Sequence, residues 1–191
     1  MLDPNLLLPV GLGIGLAAAT GFRVFIPLLT LSVAANFGHL PLSDGFAWLG
    51  TLPALAMLSV AALAEIAAFY IPAVDNLLDA VATPGAVAAG IAVSAAVMTD
   101  MTPMLKWSLA IIAGGGAAAM TQGASAALRA HSTVLTAGLG NMVLATSELG
   151  GSLVLSILAL AAPMAALALV IAFMWLAFRL LRRLKPRNTQ S

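Results

Sequence analysis

Arg23 and Glu65 are the two charged residues that lie deepest in otherwise apolar stretches of this sequence. An arginine at such a depth costs about 3 kcal/mol on insertion scales unless it is paired, hydrated or reaches the interface. Arg23 follows Thr20-Gly21-Phe22, an interruption in a long apolar run, so it sits beside the start of a second helix. Free backbone N–H groups there, next to a guanidinium, favour an anionic group such as a carboxylate or phosphate. The plainer alternative is that Arg23 reaches the interface or pairs with an acid. Glu65 lies about 9 Å from the end of its apolar span at 1.5 Å per residue. A structural Arg23–Glu65 ion pair is one reading. A carboxylate that carries a proton or binds a cation during transport is the other, and the two coexist if substrate competes for the pair. Asp75, Asn76 and Asp79 offer oxygen ligands of the kind that suit Mg²⁺, Na⁺ or Ca²⁺, although two carboxylates one turn apart also describe a solvated helix face.

Catalytic signatures are absent from the sequence. There is no HExxH, no P-loop and no Ser/His/Asp arrangement, and Gly13-Ile14-Gly15-Leu16-Ala17-Ala18 fits a dinucleotide pattern without the preceding strand that gives it meaning. Gly11 and Gly15, like Gly114-Gly115-Gly116, instead let helix backbones approach closely. With Cys 0 and His 2, thiolate chemistry and a Cys-ligated zinc are excluded, and two isolated histidines build no catalytic metal site. The sequence therefore predicts no enzyme, no cofactor, no metal and no catalytic residue. A net charge of +1 neutralises no phosphate backbone, which removes nucleic acid as a partner.

The elements that must position these residues follow from composition. The chain has 191 residues, 62% hydrophobic and 8% charged, with a mean hydropathy of +1.07. Soluble domains carry about 25% charged residues, so this is an all-α integral membrane protein with lipids as obligatory partners. Met1-Leu2-Asp3-Pro4-Asn5 lacks the positive start of a signal peptide, so the first apolar stretch is expected to persist. Breaks at Pro, Gly and charge clusters give six or seven transmembrane or half-spanning helices: about 6–20, 22–37, 46–71, 84–99, 104–128, 132–147 and 149–178, with an interfacial helix at 72–82.

Five of the eight basic residues cluster in Arg179–Arg187, which places the C-terminus in the cytoplasm and the protein in a bacterial inner membrane as a multi-pass chain. The same topology puts Arg23, Asp75 and Asp79 inside, and Asp3, His39, Asp44, Asp100, Lys106 and Glu148 outside. The sequence also matches itself at an offset of about 100 residues: Gly13, Gly15, Ala17, Ala18 and Thr20 meet Gly114, Gly116, Ala118, Ala119 and Thr121. This predicts a duplication, with repeat halves 1–102 and 103–184 and a basic tail at 185–191. Duplicated halves with broken helices point to a transporter-like binding site at the breaks, near Thr20–Arg23 and Thr121–Gly123, which adds Thr121 and Gln122 to the candidates. Ser125, Arg129, His131, Asn141 and Glu148 are further polar groups for a bundle interior or wet cavity.

The segments Gly21-Phe22-Arg23-Val24-Phe25-Ile26-Pro27 and Ala64-Glu65-Ile66-Ala67-Ala68-Phe69-Tyr70-Ile71-Pro72-Ala73-Val74-Asp75-Asn76, with Thr83-Pro84-Gly85-Ala86, resemble a family of small bacterial membrane proteins described as a domain of unknown function. The resemblance covers about residues 5–180. It implies that Arg23, Glu65, Asp75 and Asn76 form a shared polar pattern, and it transfers no catalytic residue. The expected function is a carrier or channel for a small solute or ion, with Arg23 and Glu65 inside and Asp75, Asn76 and Asp79 at the cytoplasmic mouth. The alternative is a non-transporting scaffold, or a subunit that binds lipid or partner helices, a second copy of the chain among them, through its Gly-rich faces.

Overall fold

The apolar run 6–37 breaks where the sequence says it should. In the computed structural model, which describes the backbone of residues 4–69, 72–136 and 140–184, helix α1 (Pro4–Thr20) stops one residue before Gly21 and α2 (Phe25–Asn36) starts two residues after Arg23. Side chains are described for 6–69, 82–136, 140–176 and 178–179, so the predicted tail 185–191 falls outside the described residues. The remaining helices are α3 (Leu52–Phe69), α4 (Pro72–Val97), α5 (Pro103–Leu109), α6 (Gly116–Thr136), α7 (Asn141–Ala161) and α8 (Pro163–Leu184). A 3-10 segment, Asp44–Gly50, precedes α3, and a π-helical turn, Ala110–Gly115, joins α5 to α6. No strand occurs among the described residues.

Helix α1 is the hub. Leu16, Ala17, Ala18, Ala19 and Thr20 are all buried, and α1 packs on α4, α6, α7 and α8. Neighbouring hydroxyls bond its carbonyls: Ser94 Oγ donates to Gly13 O (2.9 Å) and Ser152 Oγ to Ala19 O (3.0 Å), while Thr20 Oγ1 reaches Ala86 O on α4 (3.1 Å). Such hydroxyl bonds hold helices together where apolar packing gives little net drive. Gly21 is set by close approach: a Cβ there would stand 2.6 Å from Ala118 O and 2.8 Å from Gln122 N of α6. Helix α2 ends on Gly38, whose φ of +73° suits glycine; His39 N–H bonds Ala34 O (2.9 Å) and Gly38 N–H bonds Ala35 O (3.0 Å).

Among the described residues, three helical stretches are long and apolar enough to cross a membrane: Leu52–Phe69, Pro103–Thr136 and Asn141–Ala161. Leu6–Thr20, Phe25–Asn36, Ala82–Val97 and Pro163–Leu176 are shorter apolar helices. Several predicted boundaries move. The expected interfacial helix 72–82 and short span 84–99 are one helix, α4, because Pro84 forfeits a single backbone bond and its ring faces outward. The segments expected at 104–128 and 132–147 give way to a helix running from Pro103 to Thr136, through Arg129 and His131. The segment 149–178 is cut at Ala162, whose φ of −147° and ψ of 74° leave helical space before Pro163 opens α8. No break exists at Thr121–Gly123, where α6 is continuous; the segment instead packs on Gly21.

These shifts relocate Glu148. Expected outside, on the membrane face opposite Arg23, it lies at Arg23's own end of the bundle. Helix α8 runs from Pro163, packed on Gly11, past Phe173, which meets Phe22 edge-on at 6.3 Å, so it too runs toward the Arg23 end of the bundle.

The close approach at Gly21 is testable. Gly21→Ala forces Ala118 and Gln122 backbone apart and should destabilise by about 1–3 kcal/mol. Gly123→Ala, where a Cβ meets open space, should gain up to about 1 kcal/mol of helix propensity. Thermal unfolding in detergent checks both; equal behaviour of the two variants contradicts the packing described.

Candidate functional site

A guanidinium placed among apolar helices must find acceptors inside the protein. Arg23 is 2% exposed, held in the α1–α2 link that Gly21 presses against α6. Its Nη2 donates to Ala145 O (2.8 Å) and lies 3.5 Å from Glu148 Oε2, both on α7. Its guanidinium carbon stands 3.7 Å from the Phe69 ring centroid, a cation–π contact with the end of α3.

Helix α6 brings a second buried arginine to the same place. Arg129 donates from Nε to Glu148 Oε1 (2.9 Å) and from Nη2 to Glu148 Oε2, a forked grip on both carboxylate oxygens. Ser125, one turn earlier, also donates to Glu148 Oε1. Arg129 lies 4.5 Å from the Phe69 ring centroid, so one aromatic ring serves both guanidinium groups. Glu148 thus accepts from α6 and carries the charge of Arg23 as well.

Glu65 does a different job. The first N–H groups of a helix have no partner within it, and Val24, at the α2 start, has no side-chain acceptor. Glu65 reaches across from α3 to accept from Val24 N (2.7 Å) and Phe25 N (3.0 Å). Negative charge at a helix N-terminus is favourable, and Glu65 also feels the Arg23 charge. The expected Arg23–Glu65 ion pair is therefore corrected: among the described residues Arg23 is bridged to Glu148, and Glu65 caps α2 instead.

Each carboxylate borders a cavity. One, of about 520 Å³, lies between α2, α3 and α4 and is lined by Phe25, Ala61, Ala64, Ala68 and Gly85, with Glu65 the one charged lining residue among the described side chains. The other, of about 120 Å³, is lined by Phe22, Ser125, Leu128, Ser147, Glu148 and Phe173.

Of the residues singled out in the sequence, Arg23 and Glu65 meet at the α1–α2 link. Thr121 and Gln122 are buried against Gly21, a turn before the ionic cluster. Asp75, Asn76 and Asp79 belong to the first turns of α4, and their side chains lie outside the described residues. Arg129, Glu148 and Ser125 were grouped only as polar lining. Their signal was the i,i+4 spacing of Ser125 and Arg129, which places both on one helix face.

The chain matches the profile of the family described as Domain of unknown function (DUF4126) over residues 10–183, and it belongs to that family. No curated protein and no solved structure matches it.

If Glu148 balances the buried arginines, Arg129→Gln and Glu148→Gln should each cost about 3–5 kcal/mol. The double variant should recover about 1–3 kcal/mol relative to their sum. A double-mutant cycle from denaturant unfolding measures this coupling; simple additivity contradicts the pairing.

Proposed function

We propose that this protein is a multi-pass carrier or channel for a small solute or ion, with its binding region at the layer formed by Arg23, Glu65, Arg129 and Glu148. One observation carries the reading: charged side chains from the α1–α2 link, α3, α6 and α7 converge where the central helix breaks, and a cavity abuts each carboxylate. Ionisable groups inside membrane helices typically mark substrate or ion paths, and broken helices are where transporters place their sites. In this reading α1, α2, α3, α4, α5–α6, α7 and α8 are the seven passes, and the self-match near an offset of 100 residues reflects duplicated halves. The site serves binding and not catalysis. The basic tail supports a cytoplasmic C-terminus in a bacterial inner membrane, and the course of α8 toward Arg23 carries that end of the bundle to the same side in this reading. Asp75, Asn76 and Asp79, at the start of α4, would then sit at the mouth.

A second reading has one observation in its favour. Arg23, Arg129 and Glu148 are nearly fully buried and linked to each other by charge, as a cluster that only fixes helix register in a non-transporting scaffold would be.

Solvent access separates the two. The chain has no cysteine, so single cysteines report cleanly. Ala68→Cys faces the larger cavity and Ser147→Cys the smaller, whereas Val60→Cys is on the outer face of α3, 68% exposed. In proteoliposomes a charged, membrane-impermeant thiol reagent should modify the two cavity positions much faster than position 60. Cavity cysteines as inert as the one at position 60 would leave the scaffold reading.

A further inference from the structure

The grip on Glu148 describes the ligand as well as the protein. Arg129 presents Nε and Nη2 to the two oxygens of one carboxylate, Ser125 adds a hydroxyl to Oε1, and Arg23 Nη2 lies 3.5 Å from Oε2. The Arg129 fork is directed at a planar group with two oxygens in its plane, the geometry such a fork recognises, while Arg23 Nη2 donates to Ala145 O and adds charge beside Oε2. The cavity that Glu148 and Ser125 line, about 120 Å³, has the room of about four water molecules at 30 Å³ each. That is space for an anion of a few heavy atoms beside the carboxylate already in place.

We propose that Glu148 is an internal surrogate for the transported solute, and that the solute is a small planar oxyanion, a short carboxylate or an ion of nitrate shape. The inference rests on the carrier reading of this site and names its substrate class. Two oxygens of the entering anion replace Oε1 and Oε2 on Arg129, and the Glu148 side chain turns into the cavity. A displaced, unpaired carboxylate is costly in this interior. A proton from water therefore accompanies each anion and bonds to one Glu148 carboxylate oxygen, so the net charge of the site is unchanged. The groups facing Glu148 are Arg23 from the link, and Arg129 and Ser125 from α6. Phe69 of α3 covers the guanidinium groups, Glu65 of α3 faces the α2 terminus, and Phe173 of α8 lines the cavity. Asp75 and Asp79 of α4 lie outside the described side chains.

Nitrate is the probe, because it stays ionised throughout and any pH dependence then belongs to the protein. Purified full-length protein in detergent is titrated with sodium nitrate against sodium chloride at equal ionic strength, at pH 7.5 and 5.5. The expected result is a nitrate-specific, concentration-dependent rise in unfolding temperature. The apparent Kd should fall by up to about tenfold per pH unit lowered, as uptake of one proton requires. Glu148→Gln, which mimics the protonated carboxyl, should bind nitrate equally at both pH values, and Arg129→Lys should lose the response because it keeps the charge without the fork. A wild type that does not distinguish nitrate from chloride at either pH overturns the proposal, as does a Glu148→Gln protein whose binding still varies with pH. If the cavity cysteines react and nitrate does not bind, the carrier reading survives and the oxyanion assignment fails; if the cysteines are inert as well, both fail.

Discussion

A guanidinium buried to 2% exposure between apolar helices is the condition on which the rest of this structure depends. Such a charge is tolerable only with an opposite charge and well-aimed acceptors close by, since its desolvation exceeds what packing alone returns. Arg23 meets that condition with Glu148 and the Ala145 carbonyl of α7, and the face of Phe69 from α3. Glu148 in turn holds Arg129 of α6. One buried side chain thereby fixes the relative positions of the α1–α2 link, α3, α6 and α7.

The backbone geometry around Arg23 serves the same end. Gly21 lets the link lie against α6, which carries Arg23 to the interface of α6 with α7 instead of to lipid. Breaking the chain there exposes the first N–H groups of α2 inside the bundle, and Glu65 satisfies them from α3. The two carboxylates thus complete two separate sets of donors, a helix terminus and an arginine pair, each of a kind that also binds free anions.

Much of this was legible in the sequence. Composition gave the all-helical membrane class, Gly21-Phe22-Arg23 located the break, and Arg23 and Glu65 stood out as charges in apolar stretches. What was not legible was the partner. The Arg23 bond to Ala145 joins positions 122 apart, and no local pattern reports such a contact. Helix ends were equally obscure, because in a chain this apolar nearly every window passes as a span. Arg129 and His131 fell between the expected segments 104–128 and 132–147, yet Arg129 lies within α6, where Glu148 holds its charge. Pro163 was the true end signal, and reading 149–178 through it separated Glu148 from Arg23, beside which it lies.

The central claim is that Glu148, and not Glu65, holds the buried arginines. Glu65 and Glu148 are the only glutamates in the chain, so glutamate labelled with ¹³C at Cδ gives two signals that Glu65→Gln assigns. With arginine side chains labelled with ¹⁵N in lipid bilayers, ¹³C–¹⁵N dipolar dephasing reads the pairing directly. The account predicts strong dephasing of Glu148 Cδ, as the 2.9 Å bond from Arg129 and the 3.5 Å approach of Arg23 require. A Glu148 signal untouched by arginine nitrogen would contradict it.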